Sequence, residues 1–449
     1  MPSEPSPLEA LRAGQRNGEV DPLANFENVL GRANGNANRN TYITLDTEWS
    51  IAAAQEQITR LSASPEPPPL FGIPVSLKDC FDLEGFKTSC GSRFYANRNP
   101  PASEDSAIAA SLKAAGAFLT GKAHLHQLAY GITGQNRDYG DCLQPADATR
   151  LTGGSSSGAA ASLQEGSAVA AIGTDTGGSV RVPAALCGLS GYRSSLGVAD
   201  WRGGWHLAPS FDTIGWLFRD LRDAPLLASA IFKLPPVPAG SAPFAIPEKT
   251  PGQAGHGAGS AARIGVLDGP LLDLCDPAVK RSFAEWQENL RRAGAELEPF
   301  RPEFWSGALD IFAPIQASEA AKLHAGFLDE FGPGIFEPGI EERLRAGGAL
   351  GEEEVLGLRR RQEAFRAQMA QLFGQFDLLL APATPVSKLD PAVDQSAVRA
   401  HILRFTSPAS VCGLPAVVLP SSDCGLQLLA AHNDDRRLLQ FAAKLGALI

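Results

Sequence analysis

RLTGGSSSGAAASLQEGSAVAAIGTDTGGSVRVPAALCGLSGYRSSLG, residues 150–197, decides how this chain is read. Two Gly-Gly-Ser corners stand in it, Gly153-Gly154-Ser155 and Gly177-Gly178-Ser179. Between them run a small-residue segment with helical character and a short apolar run, AVAAIG. Paired glycines lose the most backbone entropy on folding, so they persist where the backbone must approach a ligand or adopt positive φ. Serines directly after such corners, at apparent helix starts, present hydroxyls beside unpaired N–H groups. That combination suits a nucleophile held next to an oxyanion.

The rest of the chain bounds this reading. With 449 residues, 44% of them hydrophobic and 20% charged, it can bury the core of one large α/β unit. The net charge of −10 argues against nucleic acid or an anionic membrane as the main partner. The basic run Arg359-Arg360-Arg361 follows acids in a helical pattern and reads as a solvated face. Seven cysteines are scattered without a C-x-x-C pair, so neither a zinc ribbon nor a thioredoxin motif is expected, and reduced thiols in a cytoplasmic protein are. No signal-like apolar segment opens the chain, and no apolar run is long enough to cross a bilayer.

Outward from the central stretch, buried strands alternate with helices. LFGIPVSLKD, residues 70–79, reads as a buried strand ending in Lys78. Ser6-Pro7 opens a helix, a second helix runs from Asp46 to Leu61, and a proline-rich connector follows from Ser62 to Pro69. Asp105-Ser106 caps a helix bearing Ile108, Leu112 and Ala115, Ala117–Thr120 reads as a strand, and His124–Tyr130 as a helix. Tyr139–Thr149 is turn-rich. Lys233–Arg263 reads as a Pro/Gly-rich surface excursion. Further strands are expected at Arg263–Asp268, Phe376–Pro382, Leu414–Pro420 and Gly425–Ala430. Helices capped by Asp276 and by Asp434, and a mainly helical region over 304–374, complete an α/β sandwich.

Three chemistries compete for the Gly/Ser stretch. A phosphate cradle is discounted, because no lysine follows Gly158 and Gly173–Gly178 does not meet G-x-G-x-x-G. An α/β-hydrolase elbow is matched formally by Gly154-Ser155-Ser156-Ser157-Gly158 with Ser156 as nucleophile, yet His401 and His432 carry no supporting motif. The third is a relay of Lys78, Ser155 and Ser179. A serine hydroxyl needs a base to take its proton, and a buried neutral lysine can serve through a second serine. The lysine pKa must then fall from about 10.4 toward ~7–8, by burial and a nearby helix end. The N–H groups of Thr176, Gly177, Gly178 and Ser179 are the expected oxyanion donors. His124 and His126 form an H-x-H pair, but no acidic or cysteine cluster supports a metal site. Trp201, Trp205 and Trp305 are weighed as pocket walls against plain packing.

These residues resemble the amidase signature family of serine hydrolases. The resemblance rests on GIPVSLKD (Gly72 to Asp79), GGSSSG (Gly153 to Gly158), GTDTGGSVRVPAALCG (Gly173 to Gly188), FDTIG (Phe211 to Gly215), DLLLAPATP (Asp377 to Pro385) and GLPAVVLP (Gly413 to Pro420). It implies an α/β fold with a mixed central sheet between layers of helices, and no metal or organic cofactor. It implies Ser179 as nucleophile, Ser155 as bridging serine on a cis peptide bond, and Lys78 as base. Gly154, Ser156, Asp175 and Arg181 take supporting positions. The implied layout is one amidase domain over 1–449: a helical segment 1–69, a catalytic core 70–232, the excursion 233–263, and a helical cover with C-terminal strands over 264–449.

The sequence departs from the family pattern at Gln127, Gln144-Pro145 and Arg193-Ser194-Ser195. The leading expectation is cleavage of a small carboxamide to acid and ammonia, by a chain with no nucleic-acid or membrane partner and with a homodimer left open. Two alternatives share the signature: the glutaminase-like component of a tRNA-dependent amidotransferase, and a biuret- or allophanate-type hydrolase.

Overall fold

The computed structural model describes residues 4–61, 66–232 and 261–448. The proposed excursion over 233–263 and the connector from Ser62 therefore lie largely outside the described residues.

The strands, in chain order, are β1 (Tyr42–Thr44), β2 (Pro74–Lys78), β3 (Phe118–Ala123), β4 (Leu143–Gln144), β5 (Asp147–Leu151), β6 (Ala170–Asp175) and β7 (Ser190–Arg193). They continue as β8 (Thr213–Phe218), β9 (Arg263–Leu267), β10 (Glu296–Phe300), β11 (Leu378–Pro382), β12 (Ala416–Leu419) and β13 (Leu426–Leu429). Eleven form one sheet in the order β1-β3-β2-β6-β8-β7-β12-β13-β11-β9-β10, and β4 with β5 makes a separate hairpin. Pairing is parallel from β3 through β2 to β6 and from β11 through β9 to β10, and antiparallel across the middle. Every residue of β2, β3, β6, β8, β11, β12 and β13 is buried, so helices cover both faces. This is the expected mixed sheet between helical layers. It explains why these strands read as near-continuous apolar runs.

Local signals placed most elements. Ser6 Oγ accepts from Glu9 N at 3.2 Å and Pro7 occupies the first helical turn of Pro7–Arg16. Ser106 Oγ accepts from Ala109 N at 3.4 Å. In helix Pro277–Arg292 the buried face carries Val279, Phe283, Trp286 and Leu290. All seven cysteines are free and buried. Among the described residues no helix is long and apolar enough to cross a membrane.

Several expectations need correction. His124–Tyr130 is not a helix. It is extended apart from a single turn at Gln127–Ala129, where Leu128 and Ala129 have φ of 56 and 54°. Its backbone bonds to other segments instead: His126 N donates to Ser155 O at 3.2 Å and Leu128 N to Cys90 O at 2.7 Å. The turn-rich Tyr139–Thr149 contains β4 and the start of β5. The N-terminal segment holds an additional helix, Pro22–Gly35, and the edge strand β1. Asp276 and Asp434 stand at helix starts without side-chain caps; Asp276 Oδ2 accepts from Ser387 N at 3.2 Å and Asp434 Oδ2 from Arg437 Nη1 at 3.3 Å. Helix Ser396–Cys412, which contains Pro408, had no anticipated counterpart.

Candidate active site

The sheet order carries the Gly/Ser loops to one place. β2 and β6 are parallel neighbours, with Leu77 opposite Ile172, so their C-terminal ends emerge together. Ligand sites in α/β sheets gather at such ends. Lys78 is the last residue of β2, and Asp175 the last of β6 before Thr176-Gly177-Gly178-Ser179. Helix Ser157–Glu165 follows the other corner, whose Gly154–Ser155 peptide is cis. The corners are stitched together where Ser156 N donates to Ser179 O at 3.1 Å.

Lys78 is fully buried. Its Nζ donates to Ser155 Oγ at 2.8 Å, Ser156 Oγ at 3.1 Å and Thr174 Oγ1 at 2.7 Å. Burial pushes its pKa down to about 8, against the pull of surrounding anions. The first of these would be a Cys80 thiolate, but burial raises that thiol to about 11, so near pH 8 it is protonated and does not hold the ammonium.

The hydroxyls around Lys78 are not equivalent. Ser156 Oγ donates to Thr174 O at 3.2 Å and accepts from Thr174 N at 3.3 Å, so its proton is committed to the backbone. Ser155 Oγ has no carbonyl acceptor among the described residues. Of the two serines, only Ser155 is free to exchange a proton with a neutral lysine. Gly173 makes this packing feasible, since a Cβ there would stand 2.6 Å from Ser156 Oγ. Ser179 is 4% exposed, and its hydroxyl makes no hydrogen bond among the described residues. The structure thus joins Lys78 to Ser155 and sets Ser179 beside them through backbone, without a bond between the Ser155 and Ser179 hydroxyls.

The loop after β6 that carries Ser179 is built around Asp175. Its carboxylate is fully buried and accepts from Gly178 N at 2.8 Å, Val180 N at 3.2 Å and Arg181 N at 3.3 Å. Arg181 Nη2 lies 2.9 Å from Asp175 Oδ1 and Arg193 Nη1 lies 2.8 Å from the same oxygen. Burial alone would raise the Asp175 pKa, but the two guanidiniums hold it far below the ordinary carboxylate range. Of the four N–H groups expected as oxyanion donors, that of Gly178 donates to Asp175 Oδ1, and those of Thr176, Gly177 and Ser179 have no partner among the described residues. Gly178 has φ +122°, and a Cβ there would lie 2.8 Å from Thr406 Cγ2. The glycines so accommodate helix Ser396–Cys412 as well as any ligand.

Reading along the chain missed the outer ring of this site. Arg193, noted only as a departure from the family pattern, also donates to Asp175 O, to Leu414 O at 3.1 Å and to Phe211 O at 3.3 Å. Arg181 reaches Thr406 O at 3.0 Å, Gln427 Oε1 at 2.8 Å and Ser410 Oγ at 3.1 Å. Asp212, inside the quoted FDTIG, accepts from Thr176 Oγ1 at 2.6 Å and pairs with His206 Nδ1 at 3.0 Å. The motif signalled Asp212 without giving it a task. Leu414, Thr406, Ser410 and Gln427 lie more than two hundred residues from the arginines they meet and had no local signal.

The rival chemistries find little support. Ser156 touches Lys78 and Thr174, with no histidine at its hydroxyl, so it lacks the base of a hydrolase elbow. His432 Nδ1 contacts Gly413 O at 2.9 Å. His124 and His126 do not converge on one ligand: His124 Nε2 contacts Gly140 O at 2.9 Å, and His126 Nε2 lies 3.3 Å from Glu337 Oε2. No metal-type cluster of His, Cys, Asp or Glu occurs among the described residues. Trp305 is core, packed on Phe300; Trp201 stacks on His206 with ring centroids 4.4 Å apart, and Trp205 packs on Tyr95.

Comparison with known proteins shows the family of the chain. The amidase family profile matches residues 25–439. AtzE, a component of the 1-carboxybiuret hydrolase of Pseudomonas sp. (strain ADP), is 34% identical over 381 residues, 81% of this chain and 81% of that protein. The A component of the glutamyl-tRNA(Gln) amidotransferase of Roseiflexus sp. (strain RS-1) is 31% identical over 464 residues, 96% of this chain and 94% of that protein. A crystal structure of an amidase superposes with a TM-score of 0.85 at 28% identity, covering 98% of this chain and 99% of the other.

Proposed function

The chain belongs to the amidase family of hydrolases acting on linear amide C–N bonds, and from that premise we propose that it converts a small carboxamide to a carboxylic acid and ammonia through an acyl-enzyme on Ser179. The observation that carries this reading is the fully buried Lys78, bonded to Ser155 at 2.8 Å and with its pKa brought down to about 8. Ser179 Oγ attacks the amide carbonyl while its proton passes to Ser155 and the Ser155 proton to Lys78. The tetrahedral oxyanion takes hydrogen bonds from the N–H groups of Thr176, Gly177 and Ser179. The C–N bond then breaks as Lys78, through Ser155, returns a proton to the leaving nitrogen. Water attacks the resulting ester, gives its proton to the same relay, and releases the acid with Ser179 restored.

The test is ammonia release over a panel of aliphatic, aryl and amino-acid amides, glutamine and biuret-type compounds, with Ser179→Ala alongside. Turnover lost in the variant supports the reading; equal turnover in both removes it. A urea-type substrate is a second reading, favoured by the 34% identity to a 1-carboxybiuret hydrolase component, and preference for the biuret-type compounds would select it. Glutamine turnover only with a co-purifying protein would instead select the amidotransferase reading.

The relay also sets a pH dependence. Lys78 accepts a proton only when neutral, so kcat/KM rises with pH through about 8 and levels above it. Below that value the expected slope is about tenfold per pH unit. A profile flat from about pH 6 to about pH 9 would remove Lys78 as the base.

A further inference from the structure

Thr176 is the first residue past the end of β6, where Asp175 makes the last ladder pair with Thr213. From there a different side chain holds each of three successive residues. Thr176 Oγ1 donates to Asp212 Oδ1 at 2.6 Å, Gly177 O accepts from Thr406 Oγ1 at 2.5 Å, and Gly178 N donates to Asp175 Oδ1 at 2.8 Å. The Thr176 N–H has no partner among the described residues, so the Oγ1 bond is what fixes the direction of this residue. Buried N–H groups without acceptors are rare in folded proteins. Here they are gathered in the loop that carries Ser179, where the oxygen of a ligand would satisfy them.

Asp212 is itself firmly placed. It is buried, as is Thr176. On one side of it Phe211 O accepts from Arg193 Nη2 at 3.3 Å, and on the other Thr213 Oγ1 donates to Asp175 O at 2.9 Å. Its Oδ2 accepts from Leu207 N at 2.9 Å and Ala208 N at 3.0 Å, and lies 3.0 Å from His206 Nδ1. A carboxylate only accepts, so Nδ1 carries the proton in that pair. The His206 ring is held in turn by its stack on Trp201. Closing the turn from His206 to Asp212 uses Oδ2 alone. Oδ1 reaches across to Thr176, out of that turn and into the loop of Ser179.

We propose that Asp212 is a positioning residue: through the Thr176 hydroxyl it aims the Thr176 N–H at the carbonyl oxygen of the amide that Ser179 attacks, and His206 steadies its carboxylate. This rests on the acyl-enzyme reading above and adds to it the group that sets one oxyanion donor. Such a donor stabilises the transition state only if it is aimed before the reaction begins, so its loss falls on kcat and spares KM.

Two variants cut the bond from opposite ends. In Asp212→Asn the donors at His206, Leu207 and Ala208 keep the amide oxygen on their side, which turns the NH2 toward Thr176 Oγ1 and reverses the bond. Thr176→Val removes the hydroxyl at nearly constant shape, and carries the test should Asp212→Asn not yield soluble protein. On the preferred amide of the panel each should lower kcat about 30-fold or more, with KM changed less than about threefold. Thr176→Ser, which restores the hydroxyl, should recover most of that loss. The double variant should lose little more than the worse single one, because both act through one bond. His206→Ala leaves Leu207 N and Ala208 N on Oδ2 and should cost less than Asp212→Asn.

Trifluoroacetophenone, followed by fluorine NMR, gives a readout without turnover. Ser179 Oγ bonds to its carbonyl carbon, the C=O pair moves onto oxygen, and the serine proton passes through Ser155 to Lys78, so the adduct is an oxyanion. Asp212→Asn should weaken this adduct about tenfold or more, and Ser179→Ala should abolish it. Ser179-dependent turnover and adduct at wild-type levels in both variants would overturn the positioning and keep the amidase reading. Losses in which KM moves as much as kcat, in step with a lower denaturant midpoint, would also overturn it, as the mark of a merely structural bond. An Asp212-dependent adduct without turnover of any amide would keep the positioning and overturn the amidase reading. Neither adduct nor turnover in the wild type would overturn both.

Discussion

Ser179→Ala is expected to lower kcat by about 10⁴-fold or more on whichever amide the protein prefers, equivalent to about 5.5 kcal/mol of transition-state stabilisation. Loss of the nucleophile ends acylation, and only background reaction assisted by the oxyanion donors remains. The comparison with the neighbouring serines is more diagnostic. Ser155→Ala breaks the path between Ser179 and Lys78 and should cost about 10³-fold or more. Ser156→Ala removes a hydroxyl whose proton is held by Thr174 O and should cost no more than about tenfold. The fold should survive all three, because the removed atoms are small and leave Asp175 and its arginines intact. Single-turnover kinetics separates the acylation step. A Ser156→Ala loss equal to that of Ser155→Ala would contradict the division of labour drawn from their hydrogen bonds.

Asp175→Ala is expected to produce the largest stability loss of any single change near the site. Arg181 and Arg193 are both fully buried, and Asp175 is their shared counter-ion. Breaking one buried pair by removing a partner typically costs about 3–5 kcal/mol. Here two guanidiniums lose their anion and the N–H groups of Gly178, Val180 and Arg181 lose their acceptor. The expected loss is therefore at least about 4 kcal/mol, read as a lower denaturant midpoint or loss of soluble protein. Asp175→Asn retains some hydrogen bonding but not the charge and should fall between. The pH sign follows from the depressed pKa. The contribution is fully present above the unfolded value near ~3.9 and disappears only as pH falls through the much lower folded value. Wild-type stability in Asp175→Asn would show that the two arginines do not depend on this carboxylate.

The chain-local signals were the most informative part of the sequence. Buried strands announced themselves as apolar runs, since both faces of the sheet are covered, and Ser6 and Ser106 marked helix starts through short-range bonds. The two Gly-Gly-Ser corners and Lys78 were visible because each occupies a strand or helix boundary. What stayed invisible depends on residues brought together from afar. Arg193 meets Asp175 because β8 pairs with both β6 and β7, and Thr406, Ser410 and Gln427 meet Arg181 because helix Ser396–Cys412 packs on the glycines after β6 and β12 carries β13 into the same sheet. The difference between Ser155 and Ser156, adjacent and identical in type, was settled by whether a backbone carbonyl lay within reach of each hydroxyl. The same cause bound Gly178 N–H to Asp175. Sequence alone thus established the α/β class and the family resemblance, and pointed to the candidate reactive side chains, because those follow from local periodicity and motif. Tertiary structure decided which donors are free, which charges are paired and which proton can move, because each turns on contacts between segments distant in the chain.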